Sequence, residues 1–264
     1  MTKVAVLSVV PSSGKSSFME IVGGTFAASH GRPVALYSTG PMQDFLETVT
    51  DDNDQKDLTS PEVIKAMIES SAGDTALLDY GIKIGFEPVY FYDIMSIDMP
   101  LDEKVEFLQE AIKSIPVELS LIEIQGDPES DLNKLILKEC DCMILLVPPS
   151  VKSLSNWASF ANHIPNCMAK YNLCVCGSQV NSDILSDKNM AKRMDLDDKH
   201  FYKYPYNIFI PKLSLSGVLD SACEKICKGE PGYVELRRPI YDILSFIFNR
   251  PGLNLIRSVE EWCK

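Results

Sequence analysis

The stretch Lys3–Ser17, KVAVLSVVPSSGKSS, decides the fold. Its apolar run, Val4–Val10, predicts a buried β-strand, and the small residues that follow predict a turn that opens a helix. The triplet Gly14-Lys15-Ser16 is the core of a phosphate-binding loop, in which backbone N–H groups and the positive end of a helix dipole face an anion. In such a loop the lysine reaches the terminal phosphates and the serine hydroxyl ligates Mg²⁺.

The loop departs from the full motif at two places. The pattern G-x-x-x-x-G-K-[ST] requires glycine five residues before Gly14, where this chain has Val9. Pro11 removes one N–H donor from the cradle, so we expect weaker binding than an intact motif provides. The alternative is a helix start with a solvated lysine. The residues predicted to contact the phosphates are Ser12, Ser13, Gly14, Lys15, Ser16 and Ser17.

Composition limits the classes of function. The 264 residues are 45% hydrophobic and 23% charged, which is typical of a globular protein. The net charge of −12 argues against a surface for non-specific DNA binding. The sequence has no run of eighteen apolar residues, and its first residues enter a strand directly, so we expect no transmembrane helix, no secretory signal and a cytoplasmic location.

Eight cysteines are present, several of them inside apolar runs. This pattern predicts reduced thiols that pack as small hydrophobic residues. The pairs Cys174-x-Cys176 and Cys223-x-x-x-Cys227 lack a histidine partner at zinc spacing, so a metal site is the less favoured alternative. The three histidines have no evident partners and are expected at the surface.

Apolar strands and amphipathic helices alternate along the chain, which is typical of a parallel sheet covered by helices on both faces. We therefore expect an α/β fold with a doubly wound, mostly parallel sheet, in one domain over residues 1–264, with Ser182–His200 as a polar surface insertion. After Val4–Val10, the predicted strands are Arg32–Tyr37, Pro88–Ile94, Leu119–Ile124, Cys142–Val147, Leu173–Gln179 and Asn207–Ile210. The predicted helices are Ser16–Ser29, Asp44–Thr50, Ser60–Ser71, Leu101–Ser114, Asp131–Cys140, Ser153–His163, Val218–Lys228 and Pro239–Phe248.

In this order of elements the chain resembles the ParA/MinD-type P-loop ATPases. The resemblance covers nearly the whole chain and implies their P-loop architecture, binding of ATP or ADP with Mg²⁺, a homodimer, and a switch-like role in positioning or regulating a macromolecular assembly. The matching places are the loop at Gly14-Lys15-Ser16, the helix end AASHGRPV at residues 27–34, CDCMILLVP at residues 140–148, Asn181 after its strand, and Ile210-Pro211 followed by KGEP at residues 228–231.

The resemblance also implies roles for residues outside the loop. The family's Walker B aspartate falls near Glu123, which we assign a catalytic role, and Glu123 or Asp127 could hold Mg²⁺ through water. Asn181 would contact the purine base, and Pro211 would form the wall beside it. Plainer interpretations stay open: a strand-end residue facing solvent at Glu123, and turn formers at the other three positions.

Hydrolysis is where the chain departs most from the family. The family's loop K-G-G-x-G-K-[ST] begins with a lysine that reaches the partner's nucleotide, and Val10 stands at that position. After the second strand the family carries acidic residues, whereas this chain reads Tyr37-Ser-Thr-Gly-Pro41. Because phosphoryl transfer depends on positioning and charge stabilisation, we expect hydrolysis to suffer more than binding, and whether the chain is an enzyme stays open.

Three functions compete at this stage. The first is the switch-like ATP-binding protein, similar among degenerate members to the CpaE/TadZ pilus-localisation type. The second is a metabolic ATP-dependent enzyme of the dethiobiotin synthetase-like branch, whose V-E-G sequence is faintly similar to Ile122-Glu123-Ile-Gln-Gly126. The third is a nucleotide-free pseudo-ATPase scaffold. The segment Leu253–Lys264 has apolar residues at helical spacing, and we favour its packing on protein over contact with a membrane.

Overall fold

The structure is a computed structural model that describes residues 1–11, 13–40, 78, 81–83, 88–96, 99–161, 172–180, 186–196, 201–210 and 220–248. Its strands are β1 (Thr2–Ser8), β2 (Val34–Ser38), β3 (Ile82–Lys83), β4 (Val89–Tyr92), β5 (Leu119–Glu123), β6 (Cys142–Val147), β7 (Asn172–Val180) and β8 (Phe201–Pro205). Its α-helices are α1 (Lys15–His30), α2 (Leu101–Ser114), α3 (Asp131–Glu139), α4 (Val151–Ala161), α5 (Asp187–Arg193), α6 (Asp220–Lys228) and α7 (Val234–Phe248).

One sheet of eight strands runs through the described part of the chain, in the order β3-β4-β2-β5-β1-β6-β7-β8. All neighbouring pairs are parallel except β3 with β4, which is antiparallel at the edge. Strand β1 lies between β5 and β6, away from either edge. The predicted doubly wound, mostly parallel α/β fold is therefore confirmed. Because these strands are parallel, the loops that follow β1, β2 and β5 all lie at the carboxyl ends of the strands, on the same side of the sheet.

The sheet is buried on both faces. On β1, Val4 and Val6 belong to the core with α1, α6 and α7, whereas Ala5 and Leu7 belong to the core with α2, α4 and neighbouring elements. Side chains alternate across a strand, so a strand covered on both sides must be apolar throughout. This arrangement explains why β1 contains the apolar run Val4–Leu7 rather than an alternation of polar and apolar residues.

Helix α1 approaches α6 closely at a glycine. A Cβ atom added to Gly24 would lie 2.5 Å from the sulfur of Cys223. The Cys223 thiol in turn lies 3.9 Å from the carbonyl oxygens of Glu20 and Ile21. The absence of a side chain at Gly24 therefore allows α6 to contact α1, whose first turn follows the phosphate-loop motif. None of the six cysteines that the structure describes forms a disulfide bond.

The C-terminal third departs from two predictions. The predicted strand Asn207–Ile210 is wrong; the eighth strand is Phe201–Pro205, and Phe209 and Ile210 are helical. The predicted insertion Ser182–His200 contains α5, which is not simply a polar surface element, because Met190, Ala191 and Met194 are at most 3% exposed. Apolar residues spaced along α5 outweigh the polar majority of that stretch. The predicted helices Asp44–Thr50 and Ser60–Ser71 lie outside the described residues.

Strand β1 ends at Ser8, two residues earlier than predicted. Val9 and Val10 therefore belong to the loop, although their side chains suit a strand. Within the described ranges, none of the helices is both long and apolar enough to cross a membrane. The segment Leu253–Lys264 lies outside those ranges, so its predicted packing stays a prediction.

Candidate functional site

The loop between β1 and α1 has the backbone of an anion-binding helix start. Gly14 adopts a left-handed conformation, with φ of 78° and ψ of 28°, directly before the first residue of α1. Glycine takes this conformation without steric cost. No side chain caps the helix start, and the first turn contains no acidic residue. The N–H groups of this turn are therefore suited to a negatively charged ligand.

The side chains of Lys15 and Ser16 converge on Glu123. The Lys15 Nζ atom lies 3.4 Å from Glu123 Oε1, and the Ser16 hydroxyl donates to Glu123 Oε2 at 2.8 Å. Strand register explains the approach, because Glu123 pairs with Val6 on the adjacent parallel strand and so lies beside the loop that leaves β1. The structure thus joins the two residues of the motif with a carboxylate more than a hundred residues away.

The cluster is largely shielded from solvent. The Lys15 and Glu123 side chains are 12% and 6% exposed. Glu123 is therefore not a strand-end residue facing solvent. Charged groups in such a position need partners, and here each charge has the other. An anion that takes Lys15 from Glu123 would have to compete with this ion pair.

The exit of β2 is linked to the same end of β5 by hydrogen bonds. The Thr39 N–H donates to the Glu123 carbonyl at 2.9 Å, and the Gln125 N–H donates to Thr39 Oγ1 at 2.9 Å. The Gln125 side-chain amide also donates to Ser38 Oγ at 3.1 Å. Ser38 and Thr39 stand where acidic residues are expected from the resemblance, and both are buried. Sequence patterns do not single out Gln125, since its partners lie far away along the chain.

The predicted metal residue Asp127 is exposed and lies in a turn. Its Oδ1 accepts from the Glu129 N–H at 2.9 Å. Asn133 of α3 fixes the same turn by donating to the Gln125 and Asp127 carbonyls, both at 2.8 Å. The structure brings Glu123, and not Asp127, against Ser16, which agrees with the plainer interpretation of Asp127 as a turn residue.

Of the other residues predicted for the site, some are described by the structure and some lie outside it. Ser13 is 4% exposed, and its hydroxyl has no hydrogen-bond partner among the described residues. Ser17 is partly exposed in the first turn of α1. Ser12, Asn181 and Pro211 lie outside the described residues, so their roles stay predictions. In the described part of the chain, no group of three or more histidine, cysteine, aspartate or glutamate side chains is arranged to hold a metal ion.

Solved structures with this fold identify its type. The ParA family ATPase from Chlorobium tepidum TLS has a TM-score of 0.62 at 14% identity, over 92% of this chain and 98% of that chain. MinD from Pyrococcus horikoshii OT3, complexed with Mg-ADP, has a TM-score of 0.60 at 15% identity, over 93% and 98%. The MinC:MinD cell division protein complex from Aquifex aeolicus matches with a TM-score of 0.59 at 16% identity, over 97% and 99%.

The chain therefore has the α/β fold of the ParA/MinD-type P-loop ATPases, which confirms the resemblance at the level of fold. No protein-family model matches the sequence, and no curated protein matches it either. The fold is established by three-dimensional likeness over nearly the full length of both chains, at sequence identities between 14% and 16%.

Proposed function

We propose that this protein is a switch-like nucleotide-binding protein that takes ATP or ADP with Mg²⁺, turns ATP over slowly or not at all, and positions or regulates a macromolecular assembly. The observation that carries the proposal is the cluster of Lys15, Ser16 and Glu123 at the start of α1. It supplies a cation for the phosphates together with a hydroxyl and a carboxylate for the metal.

Three features of the described loop fit a phosphate group. The uncapped first turn of α1 offers backbone N–H donors, and the left-handed Gly14 lets the chain turn into them. The buried Ser13 hydroxyl has no partner among the described residues, as expected for a group that could serve a ligand. Lys15 supplies the positive charge. We propose that Asn181 and Pro211 contact the base, as the resemblance implies.

The residues beside Lys15 also fit Mg²⁺. This ion favours oxygen ligands and is usually held by one or two carboxylates together with substrate phosphates. Ser16 and Glu123 would supply the protein oxygens, so we assign the metal-side carboxylate to Glu123 rather than Asp127. When bound, the metal would neutralise charge on the phosphates. Glu123 and Ser16 would orient it from the β5 side of the loop.

Slow turnover follows from what the loop lacks. Val10 stands where the resemblance implies a lysine directed to the partner's nucleotide, and an apolar side chain offers neither charge nor donor. Ser38 and Thr39 hold no carboxylate, and both hydroxyls are hydrogen-bonded to Gln125 or the adjacent backbone. A water molecule would therefore lack the usual acidic group to orient it. Binding needs none of these missing groups.

The role in an assembly rests on the structural relatives. One of them, MinD, was solved in a complex with MinC, and its architecture spans almost the whole of this chain. We propose a cytoplasmic homodimer as the working form, with a protein partner and without non-specific DNA binding. Size-exclusion chromatography with and without nucleotide tests the dimer. The finer likeness to the CpaE/TadZ type stays a prediction.

The deciding experiment is calorimetric titration of Mg-ATP and Mg-ADP into the wild type, Lys15→Ala and Lys138→Ala. Lys138 is an exposed lysine on α3 and serves as the matched control. We expect binding to the wild type and Lys138→Ala and none to Lys15→Ala. Equal heats for the wild type and Lys15→Ala would contradict the proposal. Absence of binding would favour the scaffold, and turnover stimulated by a small-molecule substrate would favour the metabolic enzyme.

A further inference from the structure

The peptide unit between Val9 and Val10 is hydrogen-bonded through both its carbonyl and its N–H. The two side chains that bind it are not part of the phosphate-loop motif. The Val9 carbonyl accepts from Asn156 Nδ2 at 2.8 Å, and the Val10 N–H donates to Ser8 Oγ at 3.3 Å. These two groups belong to the same peptide unit. Its plane is therefore fixed from opposite sides, by α4 and by the last residue of β1.

The Ser8 side of this arrangement is anchored to the sheet. The Ser8 hydroxyl donates to the Leu146 carbonyl at 3.1 Å, and the Val9 N–H donates to the same carbonyl at 3.3 Å. Leu146 lies in β6, the neighbour of β1. The hydrogen bonds to β6 therefore fix the direction in which the chain leaves β1.

The Asn156 side is anchored through the next residue. Trp157 is 4% exposed, and its indole N–H donates to the Met194 carbonyl at 3.1 Å. Ser153 is fully buried one turn earlier on the same helix. Packing therefore fixes the position of α4, and Asn156, although exposed, is presented to Val9 from a rigid element.

These hydrogen bonds determine which residues of the loop can donate a backbone N–H to a phosphate. The Val10 N–H is occupied by Ser8, and Pro11 has no N–H. Residues 9–11 therefore offer few backbone donors to a phosphate, and the donors belong to the loop after Pro11. The orientation of the Val9–Val10 peptide and the fixed φ of proline set the direction in which the chain continues toward Gly14.

We infer that Asn156 is a positioning residue of the phosphate loop, which fixes the orientation of the Val9–Val10 peptide at the start of the loop. It does so through its amide donor, from outside the loop and without contacting the nucleotide. The inference extends the proposed function, on which its nucleotide-binding readout rests. Amide exchange of the free protein provides a readout that does not depend on nucleotide.

The experiment compares the wild type with Asn156→Ala, Asn156→Asp and Ser155→Asp. Asn156→Asp keeps the shape and removes the donor, whereas Ser155→Asp adds the same charge at the adjacent exposed position. The readouts are the dissociation constant of Mg-ADP, the exchange rate of the Val10 amide in the absence of nucleotide, and the thermal midpoint. We expect both Asn156 variants to bind roughly fivefold more weakly and to exchange Val10 roughly fivefold faster, the fold-change of one net hydrogen bond.

Ser155→Asp is expected to match the wild type in exchange and to bind nearly as well, and the thermal midpoints should agree within about 2 °C, because both positions are exposed. The inference is overturned if Asn156→Ala leaves both binding and Val10 exchange unchanged. It is also overturned if Ser155→Asp reproduces Asn156→Asp while Asn156→Ala has no effect. If the wild type binds no nucleotide, the proposed function fails, and Val10 exchange alone decides the role of Asn156.

Discussion

The ammonium of Lys15 lies 3.4 Å from one carboxylate oxygen of Glu123, while Ser16 donates to the other oxygen. One carboxylate thus holds both side chains that the motif assigns to nucleotide and metal. Lys15 thus has an anionic partner within the same chain. If the proposed function is right, nucleotide binding would exchange Glu123 for a phosphate as the partner of Lys15.

Neutralising Glu123 should change how nucleotide and metal depend on each other. In Glu123→Gln, Lys15 loses its ion-pair partner, so we expect ATP in EDTA to bind more tightly than to the wild type. The Mg²⁺-dependent gain in affinity should fall roughly tenfold, because an interaction with a charged oxygen is lost. Calorimetry with and without Mg²⁺ measures both effects. Glu139→Gln, which removes another glutamate paired with a lysine, is the control and should behave as the wild type.

Gly14→Ala should impair both the fold and the site. A left-handed conformation costs an L-residue about 1–2 kcal/mol, and the φ of Gly14 is 78°. We expect a loss of about that size in the free energy of unfolding by urea, together with weaker nucleotide binding. Gly31→Ala, at φ of 62° with open space around it, is the matched control. It should lose similar stability and keep its affinity; equal affinity for the wild type and Gly14→Ala would contradict this role.

The contact of α1 with α6 predicts a coupled pair of substitutions. Gly24→Ala places a methyl group against the Cys223 sulfur, and overpacking of this kind costs about 1–3 kcal/mol. Removing the sulfur in Gly24→Ala/Cys223→Ala should recover most of that loss. Urea unfolding of the wild type, both single variants and the double variant gives the coupling energy. Additive effects of the two substitutions would show that the close approach does not constrain the helices.

Turnover of ATP should be very slow. Steady phosphate release at saturating Mg-ATP is expected far below ~1 s⁻¹, the low end for kinase-type phosphoryl transfer. Loss of a charge-stabilising cation has a large effect on such reactions, and Val10 cannot supply one. A rate near ~1 s⁻¹ that disappears in Lys15→Ala would show that other residues replace the missing lysine and acids.

Acid should weaken the C-terminal end of α1. Burial lowers the pKa of His30, whose ring stacks on Phe26 with centroids 4.7 Å apart. The folded state therefore favours the neutral ring. Its contribution to stability is complete above about pH 6.5, the ordinary value, and is lost as the pH falls through the lower folded-state pKa. The free energy of unfolding of the wild type should thus fall more between pH 7.5 and pH 5 than that of His30→Gln; equal decreases would exclude this contribution.

The sequence was most informative where local chemistry decides the structure. The apolar run before Gly14 predicts a central strand and the loop after it, and the continuously apolar strand Cys142–Val147 has the bounds that the sequence predicts. Glu123 was singled out through the family resemblance. Its contact with Lys15 and Ser16 could be established only once strand register brought β5 beside β1.

The features that the sequence does not predict depend on contacts between residues that lie far apart in the chain. The sequence does not predict the strand Phe201–Pro205, because it follows a polar stretch and contains Lys203, and because its burial depends on α7 packing against it. Asn156 and Gln125 look like ordinary polar residues in sequence. Their roles arise from partners 147 and 87 residues away, and no local pattern encodes such pairs.

Glu123 participates with its backbone as well as with its side chain. Its carboxylate faces the loop before α1, and its carbonyl accepts the Thr39 N–H at the exit of β2. Glu123 therefore connects the loop before α1 with the exit of β2. Its position therefore bears on Thr39 as well as on Lys15 and Ser16. A substitution that shifts Glu123 is thus expected to disturb the exit of β2 as well as the loop before α1.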